Sequence, residues 1–101
     1  MSGLDDTSWT YRASTTTPNV LTNQDYYLNV TSASAAAVAL PSGLTQQPGR
    51  IYTVYNGGAG TTTVTPATGS VDGAGSTTLV GTPHAKSFIT DGTNWFTISA
   101  Y

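Results

Sequence analysis

The sequence predicts a small all-β protein, an antiparallel β-sandwich or jelly-roll-like barrel of about seven or eight short strands with an extended N-terminal arm. Turn-forming pairs such as Asp72-Gly73 and Asp91-Gly92 recur along the chain. The stretches between the turns are rich in Val, Ile, Thr, Tyr and Phe, residues that favour strands. No stretch has the apolar period of an amphipathic helix.

Alternation along the predicted strands supports this fold class. In the first strand Leu28 and Val30 share a face with Tyr26, whereas Tyr27 and Asn29 lie on the opposite face. This pattern is typical of a strand that turns one face toward a core. The predicted strands are Tyr26–Thr31, Ala36–Leu40, Arg50–Asn56, Thr61–Thr65, Thr77–Val80, Lys86–Thr90 and Asn94–Ser99, with a weaker one at Ser70–Asp72.

The run Ala33–Leu40 also fits a helix, because Ala is the best helix former. The run is too short to be stable as an isolated helix, and Pro41 closes it. Val38 and Leu40 are spaced by two residues, as in a strand. We therefore predict a strand here.

The last predicted strand carries apolar groups on both faces. Phe96 and Ile98 lie on one face, and Trp95 lies on the other with Thr97. A strand that is covered on both sides has this pattern. An interface between copies of the chain is one way to cover the second face.

Residues 1–23 differ from the rest, which we assign to one sandwich domain over residues 24–101. The segment is polar and Thr-rich but carries Trp9 and Tyr11. Two spaced aromatic rings could anchor an arm in a groove on a partner. Alternatively, they complete the protein's own core as a first strand.

The composition excludes several function classes. Three basic and five acidic residues make up 8% of the chain, against about a quarter in a typical protein. Three cations are too few for a nucleic-acid-binding surface, and no apolar run is long enough for a membrane span. We therefore expect neither nucleic acid nor membrane as partner. The N-terminus does not resemble a signal peptide, so we expect synthesis in the cytoplasm.

Residues for catalysis or metal binding are sparse. His84 is the only imidazole and follows a proline in a predicted turn, where a solvated histidine is expected. Asp72 and Asp91 each precede Gly, where Asp commonly bonds to its own backbone. Cys is absent. The glycine-rich stretch 57–60 lacks the lysine of a phosphate-binding loop and is interpreted as a hairpin loop. We therefore expect a non-enzymatic protein with no cofactor and no metal.

A series of short segments in fixed order resembles a small β-domain that recurs in bacteriophage tail fibres, tail spikes and head-decoration proteins. The resemblance covers roughly residues 24–99. Only about 23 residues precede the domain, which is too few for the long shaft of a tail fibre. The segments are 38–41 (VALP), 48–54 (PGRIYTV), 63–66 (TVTP), 71–73 (VDG), 78–79 (TL) and 91–96 (DGTNWF).

The resemblance implies a structural part of a virion, commonly a homotrimer, without cofactor or catalysis. Because a shaft is absent, we rank a capsid decoration or cement protein first, with the major capsid protein or another virion protein as its partner. The alternative is a tail-fibre or head-fibre tip that binds a host glycan receptor. An unrelated carbohydrate-binding or adhesive module is a third reading.

Candidate contact residues are aromatic, apart from one arginine. Exposed rings can stack on sugars or anchor a protein partner. The candidate partner-binding residues are Trp9, Tyr11, Arg12, Tyr55 and Trp95. The candidate glycan-stacking rings are Tyr26, Tyr27, Tyr52, Tyr55 and Trp95.

Overall fold

The protein folds into two β-sheets that pack face to face, which confirms the prediction of a small all-β sandwich. The computed structural model describes residues 10–15, 17–22, 25–80 and 84–100, and within these ranges there is no α-helix. One sheet has the strand order β1-β3-β5-β8-β9 and the other β2-β4-β6-β7. The strands are β1 Thr10–Ser14, β2 Asn19–Val20, β3 Asp25–Val30, β4 Ala36–Leu40, β5 Ile51–Asn56, β6 Thr62–Pro66, β7 Thr77–Leu79, β8 His84–Thr90 and β9 Trp95–Ala100, and a 3-10 helix spans Gly43–Thr45.

The pairing within the sheets is mixed, which corrects the antiparallel and jelly-roll expectation. From β1 to β6 the chain alternates between the two sheets, so consecutive strands of one sheet run in the same direction. The pairs β1–β3, β3–β5, β2–β4 and β4–β6 are accordingly parallel. Only β6–β7, β5–β8 and β8–β9 are antiparallel. The turn residues were recognised correctly, but many of them connect the two sheets instead of forming hairpins.

The glycine-rich loop 57–60 is such a connection, and not the hairpin loop expected from the sequence. It leads from β5 in one sheet to β6 in the other and lies against the crossover loop 31–35, which leads from β3 to β4. A Cβ atom at Gly58 would overlap the backbone carbonyl of Ser32, and one at Gly60 would overlap that of Ser34. The glycines therefore permit these two crossover loops to stack closely.

The strands predicted from the sequence agree with the observed ones to within two residues at either end. Ala36–Leu40 is a strand with the predicted bounds. β8 begins earlier than predicted, so His84 lies in a strand paired with β5 and not in a solvated turn. At the weak strand Ser70–Asp72, Val71 forms only isolated bridges, to Ala74 and Trp95.

The described part of the N-terminal segment belongs to the two sheets. β1 pairs with β3 over five residue pairs, and β2 pairs with β4. Leu21, immediately after β2, is part of the buried core. Within 10–15 and 17–22 the chain is therefore paired into the sheets, as in the first-strand alternative, but Tyr11 is 60% exposed and does not complete the core.

The core lies between the sheets and is built on Trp95 from β9. This side chain is fully buried, its Nε1–H donates to the Pro41 carbonyl at 3.0 Å, and its ring lies 5.6 Å from that of Tyr52. The indole therefore links the last strand of one sheet to the end of β4 in the other. The other buried apolar residues include Leu28, Val30, Val38, Leu40, Val54, Val64, Val71, Leu79 and Phe88.

Candidate assembly surface

The described side chains on the outer face of the five-stranded sheet carry no charge, and most are aliphatic or aromatic, although this face points away from the core. Registered partners in a sheet share a face, so the pairing fixes which side chains lie there. Tyr11 lies beside Tyr27, and Ile51 lies beside Ile89. The described side chains that the register places on this face are Tyr11, Ala13, Tyr27, Asn29, Ile51, Thr53, Tyr55, Ala85, Ser87, Ile89, Phe96 and Ser99. Ile98 is assigned to the same face by its alternation with Phe96, at the point where the β8–β9 register shifts.

One half of this face is an apolar patch, which we define as Ile51, Ile89, Phe96 and Ile98. Ile51 pairs with Ile89 across β5 and β8, and Ile89 pairs with Phe96 across β8 and β9. Phe96 is 40% exposed and Ile98 is 51% exposed. Contiguous apolar groups at a solvent-facing surface are typical of an interaction site. The expectation that β9 carries apolar groups on both faces is thus confirmed.

A pair of hydroxyl groups lies at the centre of the outer face. Thr53 and Ser87 are opposite each other on β5 and β8, and their hydroxyl oxygens are 2.8 Å apart. Both residues are buried within the chain. Because the two hydroxyls hydrogen-bond to each other, neither needs a water molecule as its partner when the face is covered.

The other half of the face is a tyrosine groove, which we define as Tyr11, Tyr26, Tyr27, Asn29 and Tyr55. The groove has a volume of about 480 Å³. The Tyr11 and Tyr27 ring centroids are 5.7 Å apart, and those of Tyr27 and Tyr55 are 6.4 Å apart. The rings therefore form a row across β1, β3 and β5.

Asn29 supplies the amide of the groove. Its Nδ2 donates to the Tyr11 hydroxyl at 3.0 Å. Its Oδ1 is buried, has no hydrogen-bond partner among the described residues and faces Gly57, where a Cβ atom would collide with it. The amide is thus held between the crossover loop and the Tyr11 ring, and it fixes the position of the phenol hydroxyl.

Among the described residues, the charged side chains lie away from this face, and Arg12 is an example. Arg12 is in register with buried Leu28 and therefore points to the inner side of the sheet edge. Its Nε donates to Asp25 Oδ1 at 2.9 Å and its Nη1 to Asn19 Oδ1 at 2.8 Å. Since Asn19 belongs to the other sheet, Arg12 closes one edge of the sandwich. These contacts within the chain explain the position of Arg12, and no contact with a second molecule is needed to explain it.

Asp25 is the buried member of this ion pair. Burial acts to raise its pKa, but hydrogen bonds from the Arg12 side chain and the Thr22 backbone outweigh burial, so the pKa of Asp25 lies below its ordinary value. The carboxylate is therefore ionised and structural at neutral pH.

The other two basic residues are also used within the chain. Arg50 stacks on the Tyr52 ring, with its guanidinium carbon 4.0 Å from the centroid, and donates to the Asp25 backbone carbonyl. Lys86 donates to the Thr77 hydroxyl at 2.6 Å. The lack of charge on the outer face thus follows from the placement of the few charges as well as from their number.

The burial of two rings shows that their prediction as binding residues was wrong. Trp95 and Tyr52 are each fully buried in the core. Burial raises the pKa of the Tyr52 phenol, whose hydroxyl lies 3.1 Å from the Thr22 carbonyl. Neither ring can stack on a ligand while the fold is intact. Both were chosen because they are aromatic. For Trp95, alternation alone did not show which face of β9 packs against the core.

The remaining candidates have different outcomes. Tyr11 is 60% exposed and, with Tyr55, lines the tyrosine groove. Tyr26 and Tyr27 from the glycan-stacking set lie in the same groove. Trp9 lies outside the described residues. Ile51 and Ile89 were missed as surface residues, although the alternation of Ile51 against Tyr52 would have placed Ile51 on the outer face.

The acidic turn residues have structural partners. Asp91 Oδ1 accepts from the backbone of Thr93 and Asn94, as expected for Asp in such a turn, and its pKa is lowered by these bonds. Asp72 instead accepts from the Thr97 backbone and hydroxyl at 2.9 and 2.6 Å, which lowers its pKa. Asp72 therefore covers part of the free edge of β9.

Groups of three or more His, Asp or Glu side chains that could hold a metal ion do not occur among the described residues. Within the same residues, no helix has the length and apolar character needed to cross a membrane. Neither a protein-family model nor a curated protein matches the chain.

Proposed function

We propose that the protein is a structural component of a bacteriophage virion, a capsid decoration or cement protein that binds the shell through the outer face of its five-stranded sheet. The observation that carries the proposal is the contiguous uncharged surface on a sheet whose other face already forms the core. Soluble monomers rarely expose large apolar patches without a binding role. The resemblance of the sequence to phage virion domains supplies the class of partner.

The mode of binding follows from the chemistry of that face. Ile89, Phe96 and Ile98 offer apolar area, and no charged side chain lies among the described residues of the face. Attachment is therefore expected to depend little on ionic strength, unlike attachment through exposed ion pairs. The expected partner surface is apolar and weakly charged, on the major capsid protein or another virion protein.

The test is binding of the purified protein to undecorated phage shells over a range of salt concentrations. We expect the bound fraction at saturation to change little between low and high salt. Ile98→Ser should weaken binding, whereas Thr78→Ser, on the exposed part of β7 in the other sheet, is the matched control. Failure to bind at any salt concentration would contradict the cement role.

Self-association is also part of the proposal, with a homotrimer as the state that the resemblance implies. Five strands of about six residues give the outer face an area of roughly 500 Å² per copy. Two copies packed through this face would bury about 1,000 Å², close to the lower limit for a specific interface, but they would form a dimer, so a trimer that also binds the shell must use a further surface of each copy. Light scattering tests this: a mass of three times 10.4 kDa is expected, and a monomer at high concentration would exclude it.

A tail-fibre or head-fibre tip that binds a host surface glycan is the second candidate function. The tyrosine groove favours it, because aromatic rings and a fixed amide suit a sugar ligand. Fluorescently labelled protein distinguishes the two functions. Staining of host cells supports the tip, and staining of phage particles alone supports the cement protein.

A further inference from the structure

We infer that the tyrosine groove is a binding site for a neutral saccharide that stacks on Tyr27 and hydrogen-bonds at Tyr11. The inference rests on the second candidate function, to which it adds the site and the ligand class. It depends on the lining of the groove, the spacing of its rings and the fixed polar atoms at one end.

The lining selects against charged ligands. Every described residue that lines the groove is a tyrosine or an asparagine. Arg12, the basic residue nearest in sequence, points to the inner side of the sheet and bonds to Asp25. A phosphate or carboxylate in the groove would lose water without gaining a cation, which is costly. The ligand expected from charge complementarity is therefore uncharged.

The ring row selects for a flat apolar surface with polar edges. Tyr27 lies at the centre, 5.7 Å from Tyr11 and 6.4 Å from Tyr55, with the planes tilted by 30° and 34°. The electron-rich face of a phenol ring attracts weakly positive C–H groups. A pyranose ring presents C–H groups on its face and hydroxyls on its rim, and the row extends far enough for more than one sugar unit.

Polar atoms at the β1 end of the row provide orientation. The Tyr11 phenol accepts a hydrogen bond from Asn29 Nδ2, which leaves its own hydroxyl hydrogen able to donate to a ligand. Because Tyr11 is 60% exposed, a bound ligand can reach this hydroxyl without rearrangement of the fold. One positioned polar group among apolar walls is the usual composition of a small-ligand site.

The test uses named probes: the methyl glycosides of glucose, galactose, mannose and N-acetylglucosamine, a neutral tetrasaccharide, lactose, and sialyllactose as the acidic counterpart of lactose. Saturation-transfer NMR on the wild-type protein is expected to detect at least one neutral probe, with a Kd on the order of 1 mM for a monosaccharide. Sialyllactose should bind no better than lactose. Absence of a signal from every neutral probe would overturn the inference.

Variants localise the site. Tyr27→Leu keeps apolar bulk but removes the ring, and we expect at least about a tenfold loss of affinity. Tyr27→Phe keeps the ring and should bind within about threefold of the wild type. Thr78→Ser, on the exposed part of β7 in the other sheet, is the matched control and should leave saccharide binding unchanged. Equal binding by Tyr27→Leu and wild type would show that the ligand lies elsewhere.

Cell staining separates this inference from the function on which it rests. If Tyr27→Leu still stains host cells as well as wild type, the tip function stands and the groove is not its site. If the wild type binds saccharide but stains no cells, the site stands and the receptor role is wrong. Circular dichroism of each variant confirms that the fold is intact before either result is interpreted.

Discussion

The two faces of the five-stranded sheet have similar apolar character but different neighbours. The inner face carries Tyr52, Phe88 and Trp95, which are fully buried against the second sheet. The outer face carries Phe96 and Ile98 from the same strand as Trp95, yet these are about half exposed. A sheet that is apolar on both sides is typical of one covered on both sides. The difference shows that the second sheet covers only one of two faces suited to packing.

The largest expected effect is the loss of unfolding free energy when a side chain of the inner face is removed. Trp95→Ala should lower the free energy of unfolding by about 4 kcal/mol, a large part of the 5–15 kcal/mol of an ordinary domain. The reason is a cavity between the sheets and the loss of the donor to the Pro41 carbonyl. Urea unfolding followed by circular dichroism measures it.

Trp95→Phe provides the control, because it keeps an aromatic ring but removes the indole N–H. We expect a cost of about 1–2 kcal/mol, as for a buried carbonyl left without its donor. If Trp95→Ala cost less than this, the inner face would not be the core of the protein.

The second prediction concerns the ion pair at the edge of the inner face. Arg12→Met should cost about 2 kcal/mol at pH 7, because the Asp25 carboxylate stays buried without its cation. The value is below that for a fully buried pair because the Arg12 side chain is 35% exposed. The double variant Arg12→Met/Asp25→Asn should recover part of the loss.

The pH dependence of this loss has a definite sign. The folded-state pKa of Asp25 is lowered, so its contribution to stability is present above the unfolded-state value of about 4 and is lost as the pH falls through the folded-state value. In Arg12→Met, burial without the cation raises that pKa. The cost of the substitution should therefore be greatest at neutral pH and shrink below about pH 4. A cost independent of pH would exclude the ion pair as its cause.

The third prediction tests whether the centre of the outer face is as dry as the core. Thr53→Val removes one member of the hydroxyl pair with Ser87. If water cannot reach the pair, the remaining hydroxyl loses its partner and the variant loses about 1 kcal/mol. The double variant Thr53→Val/Ser87→Ala should be close to wild type, since neither partner remains. No loss in the single variant would mean that water replaces the missing partner.

Local patterns were sufficient for most strands but not for their arrangement. Alternation placed Leu28 and Val30 on the core side of β3, because period two reports which side of a strand is apolar. It also grouped Tyr26 with them, whereas Tyr26 lines the groove on the outer face. Asp91-Gly92 correctly predicted the β8–β9 hairpin. The glycines at 57 and 58 look like a hairpin turn in sequence but form a crossover, because their role depends on the loop stacked beneath them.

The candidate site was predictable only in part, for the same reason. Tyr27 and Tyr55 were recognised as possible stacking rings, but Tyr11 joins them only through the parallel pairing of β1 with β3. In β9 both faces are apolar, so the pattern gave no means of deciding which one faces the second sheet. The bridge between Val71 and Trp95 and the hydrogen bond from the indole to Pro41 determine which face of β9 points to the second sheet. Neither contact is local in sequence.

The smallest expected effect on intrinsic stability gives the sharpest comparison of the two faces. Ile98→Ser should change the unfolding free energy of the dilute protein by no more than about 0.5 kcal/mol, because the side chain is 51% exposed. If the outer face joins copies of the chain, wild-type stability rises with protein concentration, since association stabilises the folded state by mass action. Ile98→Ser should reduce that rise, whereas Thr78→Ser should leave it unchanged. Thermal unfolding over a hundredfold concentration range measures this, and parallel curves for Ile98→Ser and wild type would place the contact between copies elsewhere on the protein.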